Sequence, residues 1–487
     1  MSDDHELFEV HQYFEQLQLR GKRRPIIGNE RSRMLVTLIY PFRGVSVILR
    51  GESGSAKSTI VRGAVALCFG PSALDDAVPE VLLWGGSSDK ALLTEDNVGR
   101  IDTRATHCII PELEFVLTQD RGYDIVKVWT ENEPYPYDRA SDFGKHSERI
   151  ILRPLPILTS VANESLKLKD LAEEMERRFM PLYTESNREM NERIHRRKAE
   201  IEAYPDDMMF QETAGQVVDL REHITKTIKM DIGGVLASRR PRDLDAPDPI
   251  GIKNPCAPYM SKVVPKRFTI SNTYIDYWFD MVKSIAIFYH PQRPIYERRA
   301  AKYLMAAPVD NYLAWHIGGQ AIVDASLRLR DLGHVLMKII PTLEYRYGGE
   351  LSVSADAVSL DRIVDEISNK GYERSKPQIK ELLMRLVMAN YVKVDDKDRY
   401  WKTQNYGDEF VTGINWQECI NETKKVVSDL YPEIASDYIS QYCDDPVFVD
   451  PFTGKKMRLL DVTSEEKGAV EEVITKKKKM VRLDDLN

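Results

Sequence analysis

Nine consecutive residues, Gly51-Glu52-Ser53-Gly54-Ser55-Ala56-Lys57-Ser58-Thr59, separate two apolar segments of different kinds. Before them, Val45-Ser46-Val47-Ile48-Leu49-Arg50 reads as a short buried strand. After them, Ile60 to Phe69 reads as a helix that Gly70 ends. A glycine-rich turn between a strand and a helix points successive backbone N–H groups, and the helix N-terminus, at one place. That arrangement cradles phosphate, with a lysine adding positive charge and a hydroxyl ligating Mg²⁺. Lys57 and Ser58 fill the last two roles, and the whole run Gly51, Glu52, Ser53, Gly54, Ser55, Ala56, Lys57, Ser58 and Thr59 is the candidate nucleotide-binding loop. Ala56 stands where the pattern usually has a glycine, and alanine is small enough for a helix start. The expected cofactors are ATP and Mg²⁺.

Further short apolar runs at Val81–Trp84, His107–Ile110 and Pro156–Ser160, separated by helical stretches, give the rhythm of a parallel α/β sheet. Hydrolysis needs a group that orients water and one that holds magnesium, both at the end of a neighbouring strand. The candidate is Cys108-Ile109-Ile110-Pro111-Glu112-Leu113-Glu114, with Glu112 as the water-orienting base. Pro111 occupies the place of a magnesium aspartate, so Glu114 or a remote carboxylate must substitute, or turnover is slow. At the end of the next strand Asn163, with Thr159 behind it, is either a γ-phosphate sensor or a helix cap. Arg178, in Glu176-Arg177-Arg178-Phe179, is either a phosphate clamp or one half of a surface ion pair. Arg221 and Arg239 are weaker lid candidates.

Composition excludes several classes. With 487 residues, 43% hydrophobic and 30% charged, the chain can bury a large core in two to four domains. A net charge of −8 argues against indiscriminate coating of nucleic acid. The five cysteines have no metal-ligand spacing, which fits reduced thiols, and neither a membrane span nor a signal segment is expected. The expected location is cytoplasmic.

Breakers divide the chain. Residues 1–24 read as a helical lead-in, 25–245 as the P-loop core with an inserted hairpin, and 246–350 as a helical domain after the Pro247/Pro249/Gly251 linker. Asn29 is the expected N-cap of a helix that Pro41 closes, and Glu185 to Ala203 reads as a solvated charged helix. Residues 351–405 give helix, helix and hairpin, the order of a winged helix, and 406–487 form a C-terminal tail. Ser375 caps the candidate recognition helix, which carries Lys376, Lys380 and Arg385, with Lys393, Lys397 and Arg399 on the wing. Contact with DNA phosphate is one reading and contact with protein the other. The inserted hairpin, with Arg139, Lys145, Arg149 and Arg153, is a second place for DNA.

Ile27-Gly28-Asn29-Glu30-Arg31 ahead of the first strand, the Gly-x-x-Gly-x-Ala-Lys-Ser loop, and Arg177-Arg178-Phe179 after Asn163 together resemble AAA+ ATPases. The resemblance is nearest to the branch holding MCM helicases and MoxR-type ATPases, and it covers roughly residues 25–240. Trp84-Gly85-Gly86-Ser87-Ser88-Asp89-Lys90, followed by Pro111-Glu112-Leu113-Glu114, is also similar to ATPase modules attached to primases of mobile elements. These resemblances imply a ring, a hexamer, in which Arg178 would reach a neighbouring subunit's γ-phosphate. They imply an ATPase that moves on or remodels DNA, as a helicase or translocase does, or a MoxR-like chaperone that remodels a protein. A nucleotide switch that barely hydrolyses ATP is the third possibility that Pro111 leaves open.

Overall fold

The computed structural model describes residues 5–19, 22–51, 54–85, 92–119, 121–140, 147–162, 178–184, 188–203, 213–234, 250–263, 271–298, 301–319, 336, 339–340, 357–369, 375–388, 392–402 and 414–462. The first elements are α1 (Leu7–Glu15), the pair β1 (Gln18–Leu19) and β2 (Lys22–Arg23), α2 (Glu30–Arg43), β3 (Val47–Gly51) and α3 (Lys57–Phe69). Next come β4 (Val81–Leu83), α4 (Glu95–Thr103), β5 (His107–Ile110), α5 (Leu113–Leu117) and α6 (Gly122–Thr130). The hairpin β6 (Tyr135–Ala140) and β7 (Ser147–Leu152) leads to β8 (Ile157–Ala162) and β9 (Met180–Thr184). α7 (Arg188–Ala203) and α8 (Thr213–Met230) follow.

β4, β5, β8, β3 and β9 form, in that spatial order, one parallel sheet. Its side chains alternate between two cores, as strand geometry requires. Val47, Leu49, Ile109 and Leu158 enter one core; Ile48, Cys108, Ile110 and Ile157 enter the other. Both faces are therefore covered, which explains why the strands read as continuous apolar runs.

α2 is buried on every side from Ser32 to Phe42, which places it inside the first core. Asn29 stands at the N-cap position as expected, while the expected end of the helix needs correction. Asn29 has the left-handed conformation (φ 54°) and makes no side-chain cap hydrogen bond, and Pro41 lies within the helix, which continues to Arg43 and ends at Gly44. Pro41 has no N–H to give the Thr37 carbonyl and its ring crowds that carbonyl; the Cys68 thiol donates to it instead, at 3.8 Å.

Residues 1–24 are more than a lead-in. Phe14 of α1 is fully buried, and a Cβ on Gly63 of α3 would come within 2.7 Å of its ring. Arg33 of α2, with a fully buried side chain, donates to the Ile26 carbonyl at 2.6 Å and to His11 Nδ1 at 3.0 Å. Its guanidinium also lies over the Phe14 ring. Burial pushes the Arg33 pKa down to about 10. α1 is thus bolted to α2 by packing and by charge-assisted hydrogen bonds.

Beyond the sheet lie β10 (Gly251–Lys253), α9 (Ala257–Val263), α10 (Ser271–Phe288), β11 (Ile295–Arg298), β12 (Ala301–Met305) and α11 (Pro308–Ala314). α11 passes into a π-helical turn, Trp315–Gly319. The first core continues through Trp278, Met281 and Ile285 of α10. A separate small core is built from Leu360, Ile363, Ile379, Leu383, Val392 and Tyr400. These residues belong to α12 (Leu360–Asn369), α13 (Lys376–Met388) and the hairpin β14 (Val392–Val394) and β15 (Arg399–Lys402), and the short β13 (Val358–Ser359) ahead of α12 pairs with β15.

The segment after residue 406 also differs from the expected tail. α14 (Trp416–Leu430), α15 (Ala435–Tyr442) and the hairpin β16 (Val447–Val449) and β17 (Lys456–Arg458) join the first core through Trp416, Ile420, Tyr438 and Phe448. The Tyr438 hydroxyl donates to the Ala306 carbonyl at 2.6 Å. The lysine run 476–479 lies outside the described residues.

Candidate functional site

β3 delivers the glycine-rich loop to the carboxyl end of the parallel sheet, and α3 starts at Lys57. Gly51 must be glycine, since a Cβ there would lie 2.1 Å from Thr184 Oγ1 and 2.6 Å from Ser55 Oγ. Gly54 has φ +85° and open space where a side chain would be, and Ala56 also takes the left-handed conformation (φ 65°). A loop so shaped presents backbone N–H groups outward. The residues Glu52 and Ser53 lie outside the described set.

Lys57 is buried, and its ammonium donates to the Gly51 carbonyl at 2.9 Å and to Ser55 Oγ at 3.5 Å. It therefore lies folded across the mouth of its own loop. Ser58 is exposed on the first turn of α3, and Thr59 is half-buried beside it. The open space at Gly54, the ammonium at the loop and the exposed hydroxyl fit a nucleotide phosphate with its metal. Lys57 and the loop amides would hold the phosphates, and Ser58 would supply a metal ligand. Magnesium would neutralise charge that develops on the transferred phosphoryl group. No group of three His, Cys, Asp or Glu side chains poised for a metal occurs among the described residues; a nucleotide's phosphates would bring metal ligands of their own.

β8 lies between β3 and β5, with Gly51 opposite Ala162 and Ile110 opposite Thr159. Glu112, just past β5, is therefore two strands from Gly51, about 10 Å by strand spacing. Glu112 is exposed and sits at the N-cap position of α5, without a side-chain cap hydrogen bond. Glu114 is half-buried in the first turn of that helix. Pro111 packs its ring where a Cβ on Gly85 would be, 2.9 Å away, so the end of β4 is fitted to a proline at this position. Thr159 is fully buried within β8, and Asn163 lies outside the described residues.

Other expected positions divide. Arg178 forms an ion pair with Glu131, just past α6, and its Nη1 lies 3.5 Å from the Lys127 carbonyl. Of its two sequence readings, this geometry is the ion pair, made within the chain. Arg153 donates to the carbonyls of Ile101 and Ala105, so it closes the end of α4 rather than projecting from the hairpin. Arg149 is exposed on β7; the side chain of Arg139 and all of Lys145 lie outside the described set.

On α13, Ser375 is the residue before the first turn, and its N–H and hydroxyl both donate to Gln378 Oε1. Lys376 pairs with Asp361, and Lys380 with Asp398 at 2.7 Å. The side chain of Arg385 lies outside the described residues. On the wing, Arg399 pairs with Asp395 at 2.6 Å. Arg221 lines an open hollow of about 520 Å³ with Glu222, Thr225, Lys226, Lys229 and Met230 of α8. Thr225 donates to the Cys68 carbonyl, which places the hollow at the opposite end of α3 from the P-loop. Arg239 lies outside the described residues.

Sequence reasoning missed β9 and with it Thr184. Pro181 within Met180-Pro181-Leu182-Tyr183-Thr184 speaks against a strand, yet β9 is the edge of the sheet, where a missing N–H is tolerated. The alternating apolar Met180 and Leu182, both buried in the first core, were the available signal.

No family model matches the sequence, and no curated protein matches it. Among solved structures, the chain is similar to the Orc1 protein of Aeropyrum pernix in complex with DNA, at 12% identity and a TM-score of 0.23, over 90% of this chain and 99% of that one. It is also similar to a single-residue variant of RuvB from Thermotoga maritima, at 12% identity and a TM-score of 0.23, over 81% of this chain and 97% of that one. At those scores the functional reading rests on the chain's own geometry.

Proposed function

We propose that the chain is an AAA+-type ATPase that binds ATP with Mg²⁺, hydrolyses it with Glu112 as the water-orienting base, and works on DNA as a ring. The observation that carries the reading is the placement of Lys57 and Glu112 at one end of a parallel sheet, with β8 between their strands. Positioning and electrostatics supply nearly all of the catalysis of phosphoryl transfer. Lys57 holds the phosphates; Ser58, assisted by Glu114, holds the metal; and Asn163 senses the γ-phosphate. For Arg178 to act in trans it must first leave Glu131. Arg149 and the α13 lysines are the DNA contacts in this reading.

A second reading, remodelling of a protein partner in the cytoplasm, draws on one observation. Lys376 and Lys380 are already paired with Asp361 and Asp398, which lowers their attraction for phosphate and suits a protein surface of mixed charge.

ATP turnover measured with and without single-stranded and duplex DNA, across a salt series, separates the two. The DNA reading expects a stimulation of at least about tenfold that fades as salt rises. No response to nucleic acid removes it and leaves the protein-remodelling reading. Glu112→Gln is expected to retain ATP binding and lose turnover by about a hundredfold or more; unchanged hydrolysis would remove Glu112 from its role.

A further inference from the structure

Three hydroxyl and ammonium groups beside the loop form an ordered chain. Lys57 Nζ donates to Ser55 Oγ at 3.5 Å, Ser55 and Thr184 share a hydrogen bond of 2.7 Å, and Thr184 Oγ1 donates to the Arg50 carbonyl at 3.1 Å. An ammonium can only donate, and a carbonyl can only accept. Those two ends fix the middle: the Ser55 hydroxyl donates to Thr184, because the Thr184 proton is committed to Arg50 and a Ser55 lone pair to Lys57. Ser55 is 4% exposed and Thr184 5% exposed, so each link stands in for water that the groups have lost.

We infer that Thr184 is a positioning residue for the phosphate loop. This rests on the nucleotide reading above, and it assigns to the edge strand β9 a part in the site. β9 is parallel to β3, with Thr184 opposite Gly51, so the Thr184 hydroxyl reaches under the loop at its first glycine. Its closeness to Gly51 is what excludes any side chain there. Ser55 lies between Gly54 and Ala56, both with positive φ, the part of the loop least restrained by helix or strand. Anchoring Ser55 to β9 fixes this part before phosphate arrives. When phosphate takes the Lys57 ammonium, Ser55 keeps its bond to Thr184, so the loop holds its shape while the lysine turns. A loop set in advance costs less ordering on binding, and the gain is felt equally by the bound substrate and the transition state. Such a residue changes KM and leaves kcat alone.

The test uses the full-length chain, a fluorescent ATP analogue for Kd, steady-state turnover for KM and kcat, and thermal unfolding without nucleotide. Thr184→Val keeps shape and removes the hydroxyl, and is expected to raise Kd and KM by about tenfold with kcat within about twofold. Thr184→Ser is expected to restore both constants. Ser55→Ala is expected to match Thr184→Val, and the double variant to be no worse than either single one, as for members of one chain. Wild-type Kd in Thr184→Val and in Ser55→Ala overturns the inference, as does failure of Thr184→Ser to rescue or a multiplied loss in the double variant. If Thr184→Val does not fold, Thr184→Ser and Ser55→Ala decide: the first must bind as wild type and the second must not. A wild-type chain that binds no ATP overturns the nucleotide reading itself, a result separate from a wild type that binds ATP and ignores Thr184.

Discussion

The hydroxyl of Ser160 donates to the carbonyl of Pro111 at 3.0 Å, tying β8 to the residue just past β5. Pro111 is held on its other side by Gly85, so the backbone leading into Glu112 is clamped although no carboxylate precedes it.

A carboxylate at Pro111 is expected to change how turnover depends on metal. Pro111→Asp places an acid beside Glu112, and a further ligand contact in the metal's shell is expected to lower the Mg²⁺ concentration for half-maximal turnover by about tenfold. A magnesium titration of ATPase rate reads this directly. An unchanged midpoint, in a variant whose unfolding matches wild type, would mean that Glu114 or the phosphates already complete the shell.

Ala56 sits in the left-handed region at φ 65°. That conformation costs a non-glycine residue roughly 1–2 kcal/mol, whereas glycine loses roughly 0.5–1 kcal/mol in additional unfolded-chain entropy. Ala56→Gly is therefore expected to stabilise the chain by about 0.5–1 kcal/mol, with ATP affinity within about twofold of wild type. Urea unfolding and a Kd measurement check the two halves. Destabilisation would show that the Ala56 methyl contributes packing that outweighs the strain.

The strand ends and the P-loop were legible in the sequence because each carries a local signal. His107–Ile110 and the Gly70 stop of α3 lie where the apolar runs and breakers put them. Thr184 was not legible: its role depends on β9 lying beside β3, a pairing between positions 133 residues apart (Gly51 and Thr184), and Pro181 masks the strand. The same limit applies to Arg153. Basic residues near a hairpin look alike in sequence, and only the fold shows that this one meets the carbonyls at the end of α4. The packing of α1 and α14 into the first core was hidden for a related reason. α1 and α14 have ordinary amphipathic patterns, and the partners that bury them lie far away in the chain.

Arg293 and Asp310 form a buried pair, with 8% and no side-chain exposure respectively. Arg293 Nε lies 2.9 Å from Asp310 Oδ2, and the same carboxylate accepts the Ala307 N–H at 2.8 Å. Arg293→Met leaves the carboxylate without its cation, which costs about 3–5 kcal/mol. Arg293→Met combined with Asp310→Asn removes the charge and keeps an acceptor for Ala307, so it is expected to recover part of that loss. Chemical denaturation of the three forms tests the pair. A double variant less stable than Arg293→Met would show that the carboxylate matters more to the start of α11 than to Arg293.

Stability is expected to fall as the medium becomes mildly acidic, through His316 and His11. His316 Nε2 lies 3.1 Å from Asp450 Oδ2, and its ring packs on Tyr312 and Phe452. Burial lowers the His316 pKa below 6.5, outweighing the opposing attraction of Asp450. Burial also lowers the His11 pKa, and the Arg33 guanidinium adds to the effect. Both imidazoles are thus held neutral in the fold where the unfolded chain would bind protons. In the window between their lowered folded values and 6.5, the unfolded state carries more protons, so stability rises with pH and is lost as pH falls. Urea midpoints between about pH 7 and about pH 5 are expected to decline in wild type and to decline less in His316→Gln, which keeps a donor for Asp450 without the titrating ring. A wild-type midpoint that is flat across that interval, or a His316→Gln slope as steep as wild type, would show that His316 titrates alike in the folded and unfolded chains.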